Sequence, residues 1–493
     1  MRSLVLSPLA LAIAAGLAQA GELKVYPPAV EVSGPNRVQQ LVVVEEENGR
    51  VVADHTAKAA FASSAPAVAK VEAGRVVAVG NGGTTITATV AGKSVAVRLT
   101  ASAGAAGWSF NNHVLPTFTR TGCNSGACHG ALAGKGGLKL SLRGYDPDAD
   151  HFALTRQAVA RRIDLTRPDQ SLLLLKATRV IPHAGGARFE AGSDHHALLL
   201  DWIAAGAAAP RDSDPQLVRF EVFPRAALLK PRDAVRVVVR AVYANGVVED
   251  VTRWAKFVSS EEQVATVNED GHVAVAGHGE AAVSVLFGTK VAAMTVTVPY
   301  PNRVEPGTFT PPPGAGFVDT LVLKRLELLH LPPAGSTSDA EFVRRVYLDV
   351  CGVLPKPEET TAFLADADPK KRDKLIDRLL ERSEYVDYWA MKWSDLLLVS
   401  GRKLPQPAMW AFYRSIRQSV ADNQPWDRFA RDTLTASGST LTNGRGNYFV
   451  LHRDVADLAE STAVTFMGTS ITCARCHNHP LERFTQDDYY HFA

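Results

Sequence analysis

The 493-residue chain has no run of like charge; its 53 basic and 51 acidic residues are interspersed and sum to a formal +2. Neither a phosphate-tracking basic stripe nor an acidic tail is present, so nucleic acid is not an expected partner. Beyond the first twenty residues no apolar stretch reaches the roughly 18 residues that a membrane span needs, and no span is expected in the mature chain. A P-loop, a dinucleotide fingerprint and a recognisable set of nucleophile, base and orienting residue are also missing, so no catalytic residue can be named and an enzymatic role is left undecided. Cysteine is scarce, at 5 residues, and so is methionine, at 5. The scarcity sharpens what is there, because two cysteine pairs each end in histidine: Cys123-Asn-Ser-Gly-Ala-Cys128-His129 and Cys473-Ala-Arg-Cys476-His477.

Cys-x-x-Cys-His is the spacing at which two thiols add covalently to haem vinyl groups and the adjacent histidine ligates the iron. Haem c is therefore expected on Cys473, Cys476 and His477. Zinc is the alternative there, with His479 as a further donor, since thiolates and imidazoles suit a tetrahedral site. His479 lies too close in sequence to His477 to reach the opposite haem face easily, which leaves His452, Met467 and His491 as candidate distal ligands. The upstream pair has the same order with four residues between its thiols, and a second haem is expected on Cys123, Cys128 and His129. A disulfide is the competing reading of that pair. Cys351, on an apolar helical face, reads as a free structural thiol.

Haem attachment of this kind belongs outside the cytoplasm, and the first twenty residues agree. Arg2, an apolar run from Leu4 to Leu17 and the small-residue pattern Ala18-Gln19-Ala20 read as a secretory signal, with the mature chain starting near Gly21. A periplasmic or secreted protein is expected.

An internal repeat organises the first three hundred residues. The segment from Phe61 recurs from Phe257, so that Val68, Val71, Val76 and Gly80 align with Val264, Val267, Val273 and Gly277. Both copies alternate apolar with small or polar residues at period two and carry glycine turns, the pattern of a small antiparallel sandwich. The V-A-x-V strand, glycine turn and following V-x-A strand resemble the bacterial Ig-like domain of group 2. One copy is placed at 22–103 and the other at 214–300. The resemblance implies spacer or adhesion modules, with a cell-surface or carbohydrate contact on their loops.

Between them, residues 108–212 carry the upstream motif, helical patterns at Asp150 to Arg162 and Ser171 to Ala177, and a closing helix in which Leu199, Trp202 and Ile203 share one face before Gly206. The stretches T-G-C-N-S-G-A-C-H-G, I-P-H-A-G-G-A-R-F and L-L-D-W-I-A-A-G-A resemble the planctomycete-type cytochrome c domain. That resemblance implies an α-helical haem domain whose terminal helices pack together and whose iron takes a sixth ligand from upstream of the last helix. This segment has no methionine to supply it. His183, between Pro182 and Gly185-Gly186, is the candidate, with His195 and His196 as alternatives.

A Pro/Gly linker at 301–316 precedes helices. Ser338-Asp-Ala-Glu341 is a capping box for a helix to about Cys351, with Phe342, Val343, Val346 and Val350 apolar. Lys370 to Glu381 forms another helix. Tyr388, Trp389, Trp393, Trp410, Phe412, Trp426 and Phe429 are expected in the core, with a sugar-stacking surface as the alternative. The runs F-V-R-R-V-Y-L-D-V-C-G-V-L-P, N-Q-P-W-D-R-F and C-A-R-C-H-N-H-P-L-E-R-F resemble the helical domain of unknown function that accompanies planctomycete cytochrome c domains. The chain stops inside a helical pattern, so a continuation beyond 493 is expected.

The expected architecture is thus multidomain: two all-β Ig-like sandwiches, one α-helical cytochrome c-like domain and a mainly α-helical C-terminal domain at 317–493. The expected function is electron transfer by an exported c-type haem protein carrying two haems and serving a redox partner protein. Two alternatives stand beside it, a surface binding protein with disulfides or zinc at its motifs and a haem-dependent redox enzyme acting on carbohydrate.

Overall fold

The computed structural model describes residues 21–33, 38–102, 107–288, 290–477, 479, 482 and 484–493; the signal-like residues 1–20 lie outside them. Strands fill the N-terminal part and helices the C-terminal part, in two compact units that divide at Pro332/Pro333.

The repeat in the sequence is a repeat in topology. In the first copy the strands Glu22–Tyr26, Val42–Glu47 and Arg50–Asp54 form one sheet edge, Val30–Val32, Lys93–Ala101, Gly82–Val90 and Ala60–Ser63 form a second sheet, and Val38–Gln40, Arg75–Ala78 and Ala69–Glu72 form a third. The second copy repeats this order with Leu217–Phe223, Val238–Tyr243 and Val248–Asp250, then Ala226–Leu228, Lys290–Val298, Gly279–Phe287 and Lys256–Ser259, then Ala234–Arg236, His272–Val275 and Ala265–Val267. Period-two alternation puts one apolar set inside each copy; Val30, Leu41, Val43, Val76, Ile86, Val97 and Leu99 make the first core. Burying a side chain of this size contributes about 1.5–3 kcal/mol.

The copies join through matching residues. Asp250 of the second accepts the Gln40 backbone N–H at 2.6 Å, and Asp54 of the first accepts the Arg236 backbone N–H at 2.8 Å. Both aspartates also take a local N–H, from Thr252 and Thr56, and those threonine hydroxyls in turn accept from Val239 and Val43. Asp54 and Asp250, like Gln40 and Arg236, lie 196 positions apart, so the contact is an approximate two-fold within one chain. Ala227 pairs with Val51, which continues one sheet across the junction.

Residues 107–212 form a helical segment between the copies, with α1 (Leu115–Arg120), α2 (Pro147–Thr155), α3 (Leu172–Ala177) and α4 (Asp194–Ala204). Phe110, Phe118, Leu154, Leu174, Leu199, Trp202 and Ile203 enter the core that the second copy shares. The helix expected over Asp150 to Arg162 is shorter. It opens at Pro147, with Asp146 capping the Ala149 N–H at 3.0 Å, and stops at Thr155. The Arg162 guanidinium turns back to donate to the carbonyls of Ala153 and Gln157, occupying acceptors that a longer helix would use, and Ala158, Val159 and Ala160 take positive φ. A short helix, α5 (Phe317–Leu329), follows the second copy, held by a Tyr300 N–H to Leu329 carbonyl bond and an Arg325–Glu280 ion pair.

The second unit is helical: α6 (Asp339–Cys351), α7 (Pro357–Ala365), α8 (Lys371–Leu380), α9 (Ser383–Leu396), α10 (Gln406–Ala421), α11 (Trp426–Leu434), α12 (Asn447–Leu451), α13 (Val455–Met467) and α14 (Gln486–Phe492). The Ser338/Glu341 capping box opens α6 and left-handed Gly352 ends it. Val343, Val346, Tyr347 and Cys351 pack against Phe363, Leu375 and Leu379, and the Cys351 thiol donates to the Leu379 carbonyl. The aromatic stripe is only partly core. Phe412 and Phe429 are buried, whereas Trp389, Trp410 and Trp426 are 37%, 47% and 42% exposed. The three indoles sit on three different helices, α9, α10 and α11, and each is covered by its neighbours on one part of the ring only.

Candidate functional site

The upstream motif is built as a closed loop. After α1, Gly122 takes φ +75, the Cys123 N–H bonds the Phe118 carbonyl, and the His129 N–H returns to the Cys123 carbonyl at 3.0 Å. The four intervening residues form the turn between: Cys128 and Gly130 N–H groups both reach the Ser125 carbonyl. Gly130 has no room for a side chain, since a Cβ would overlap the Asn124 carbonyl. Asn124 is buried and bonds the Thr119 hydroxyl. Cys123, Cys128 and His129 are thereby presented by one loop, and all five cysteines carry free thiols.

That loop faces a cavity of about 560 Å³. Cys123, Cys128, His129 and His183 all line it, over an apolar wall that includes Phe118, Leu140 and Leu154. The His129 and His183 rings lie 6.2 Å apart, centre to centre, and within 10° of parallel. Each is oriented in the same way. His129 Nδ1 lies 3.0 Å from the Lys135 carbonyl and 3.2 Å from that of Leu138, and His183 Nδ1 lies 2.8 Å from the Gly186 carbonyl. A carbonyl only accepts, so each Nδ1 carries the proton and each Nε2 is left with its lone pair, the tautomer of a metal-donating imidazole. Burial holds the His129 imidazole below the usual histidine range, which keeps it neutral and donor-ready. Burial also pushes the Cys123 thiol up, while the Thr121 hydroxyl, 3.3 Å away, works against that. Gly185 makes room beside His183, since a Cβ there would stand 2.9 Å from His183 Cε1 and 3.2 Å from its Nε2.

His195 and His196 sit elsewhere. His196 receives the Ser193 cap of α4, and His195 packs near Phe189 with its Nδ1 buried and without a hydrogen-bond partner. The segment is keyed into the second β copy by a buried His113–Glu249 pair at 2.9 Å, by Arg253–Asp194 at 2.6 Å and by Trp108 against Trp254.

The C-terminal motif is placed differently. Cys473 lies in a 3₁₀ turn, Thr472–Arg475, that Cys476 ends; both cysteines are exposed, while the intervening Ala474 is buried with Ala463, Ile471 and Tyr489. Arg475 approaches Asp454, Asp457 and Glu460 at 3.8–3.9 Å. His479 Nδ1 accepts from the Glu482 N–H. A cavity of about 330 Å³ nearby is lined by Met467, Phe484 and Phe492, and by neither cysteine. Of the distal candidates, Met467 lines that cavity, His491 is exposed, and His452 is buried against Tyr448 with its Nε2 unpartnered. Among the described residues no three His, Cys, Asp or Glu side chains converge as a single-ion site; Cys123, Cys128, His129 and His183 line a cavity instead.

Sequence reasoning missed the cationic lining of the upstream cavity, where Lys135, Arg161, Arg162, Lys176 and Arg188 join the wall. Arg188 donates to the Cys128 sulfur at 3.1 Å. Nothing in local spacing brings these five together.

Among the described residues no helix is long and apolar enough to cross a membrane. No curated protein matches this chain. Solved structures similar to it include domains 5–6 of the S-layer protein SbsC, at 12% identity over 57% of this chain and 98% of that one with a TM-score of 0.24. Domains 4–9 of the same surface-layer protein align at 12% identity over 57% and 31% of the two chains, with a TM-score of 0.23. Residues 317–493, which include the C-terminal motif, match the family model PSCyt2, described as a protein of unknown function (DUF1549).

Proposed function

We propose that this chain is an exported, multidomain c-type haem protein that transfers electrons to a redox partner, with one haem held by the upstream motif and a second by the C-terminal one. In this reading the helical segment is a cytochrome c-like domain, and the β copies are Ig-like spacers that present it. The observation that carries the reading is the pair of facing imidazoles. His129 and His183, whose near-parallel ring centres stand 6.2 Å apart, would be the two imidazoles that hold a metal ion there, since each keeps an Nε2 lone pair. The cavity volume lies within the roughly 300–1,000 Å³ of small-molecule and cofactor sites, and two thiols stand in its wall.

Haem would supply an iron that changes oxidation state by one electron; two imidazole ligands favour a lower potential than a His/Met pair. The chain's own residues do the rest. Cys123 and Cys128 would hold the group by adding their S–H across two vinyl groups, one S–C bond each with the hydrogen going to the neighbouring carbon. The carbonyls of Lys135, Leu138 and Gly186 hold both ring orientations, and Leu140, Leu154 and Phe118 exclude water.

The test is covalent haem in the exported full chain, produced with a c-type maturation system. A Soret band that survives denaturation and acid-acetone extraction, at two equivalents per chain, is expected. Stoichiometric zinc with no haem would overturn the proposal.

A further inference from the structure

The lining of the upstream cavity is lopsided. Five cationic side chains reach it and no aspartate or glutamate does. Arg162 is the most telling of them. It is only 5% exposed, and three of its five N–H donors are taken by the neutral carbonyls of Ala153, Gln157 and Gly137. Arg161 stands beside it, Lys176 donates to the Pro182 carbonyl and Arg188 to the Cys128 sulfur. Among the described residues none of these charges meets a carboxylate. A buried guanidinium without a counter-charge is costly, and a fold keeps one where an anion arrives to pair with it. The opposite wall is apolar, with Phe118, Leu138, Leu140, Leu154, Leu172 and Leu173.

We infer that the ligand of this cavity is a metal tetrapyrrole bearing free carboxylates, and that Arg161, Arg162 and Lys176 pair with those carboxylates while the leucine wall takes its apolar face. The inference rests on the haem reading of the same site. Charge-assisted, fork-shaped guanidinium bonds give direction as well as strength, so the arginines set which edge of the macrocycle lies at the cationic side.

The test uses the full chain made without haem attachment and two probes whose ethyl groups cannot react with thiols: iron(III) mesoporphyrin IX and its dimethyl ester. The diacid is expected to bind about tenfold tighter than the diester, with that ratio falling toward one in Arg161→Gln/Lys176→Gln. Arg162→Gln should lower it further, but Arg162 also ties three carbonyls, so the double variant decides. Equal affinity for both probes with a low-spin spectrum would overturn the carboxylate inference and leave the haem reading standing. A ratio unchanged in the double variant would also overturn it. Failure of both probes to bind would remove both readings together.

Discussion

The two cysteine–histidine motifs differ in opposite senses in sequence and in space. The C-terminal one has the regular two-residue spacing, yet both of its cysteines are exposed and stand outside the lining of the cavity nearby. The upstream one has four residues between its thiols, yet its loop closes on itself and faces a cavity with a second imidazole across it. Spacing therefore speaks to whether two thiols can react with one group; the environment that tunes a bound metal comes from residues distant in the chain.

The largest expected effect separates the motifs directly. Replacing Cys123 and Cys128 with serine should remove one of two haem equivalents, and the same change at Cys473 and Cys476 should remove the other, as read by pyridine haemochrome and intact mass. Loss at one motif only would leave the other as a thiol pair and break the comparison. His183→Ala should next keep covalent haem on the upstream loop but convert that centre to high spin, with new carbon monoxide binding in the ferrous state. An unchanged low-spin spectrum would eliminate His183 and bring His195 or His196 forward. Gly185→Val should give a milder form of the same spectrum by crowding His183.

The remaining tests concern how the segment carrying the first motif is held. His113→Ala leaves Glu249 buried without its partner, and a loss of about 3–5 kcal/mol is expected in urea unfolding of the first unit. His195 adds a pH term. Burial holds its imidazole down at about 4, against about 6.5 in the unfolded chain. The unfolded state takes the proton first as pH falls, so this stabilisation is complete above about 6.5 and lost toward 4, on the order of 3 kcal/mol. Asp150, pushed up to about 6 by burial, acts in the opposite sense over nearly the same range, so the readout is the stability of the parent minus that of His195→Gln, which should rise as pH goes from about 4 to about 6.5. The smallest effect compares the matching aspartates. Asp250→Ala should cost about 2 kcal/mol and Asp54→Ala about 1 kcal/mol, because Asp250 is the more deeply buried and also accepts from the Gln39 side chain. Equal losses would remove the asymmetry between the copies.

Much of this was legible from local pattern. The repeat, the α6 capping box, the buried face of α4 and the buried face that holds Cys351 follow from period, capping chemistry and glycine placement, which act within a few residues. The end of α2 was not legible, because Arg162 ends it from beyond the helix. The exposure of Trp389, Trp410 and Trp426 was not legible either, since spacing reports the side of a helix and not how far a neighbour covers it.

By itself, the sequence determined which candidate side chains are present: two cysteine pairs with their histidines, no methionine between the upstream motif and the second repeat, and His183 on a proline–glycine turn. These are statements of identity and short-range order, and they need no packing. The tertiary structure alone decided that His183 stands within 6.2 Å of His129, ring centre to ring centre, that five cations and no acid share their cavity, and that Asp54 and Asp250 exchange contacts across the repeat. Each of these joins residues far apart in the chain. Loop closure between such residues is set by the packing of everything between them, and no periodicity in the sequence records it.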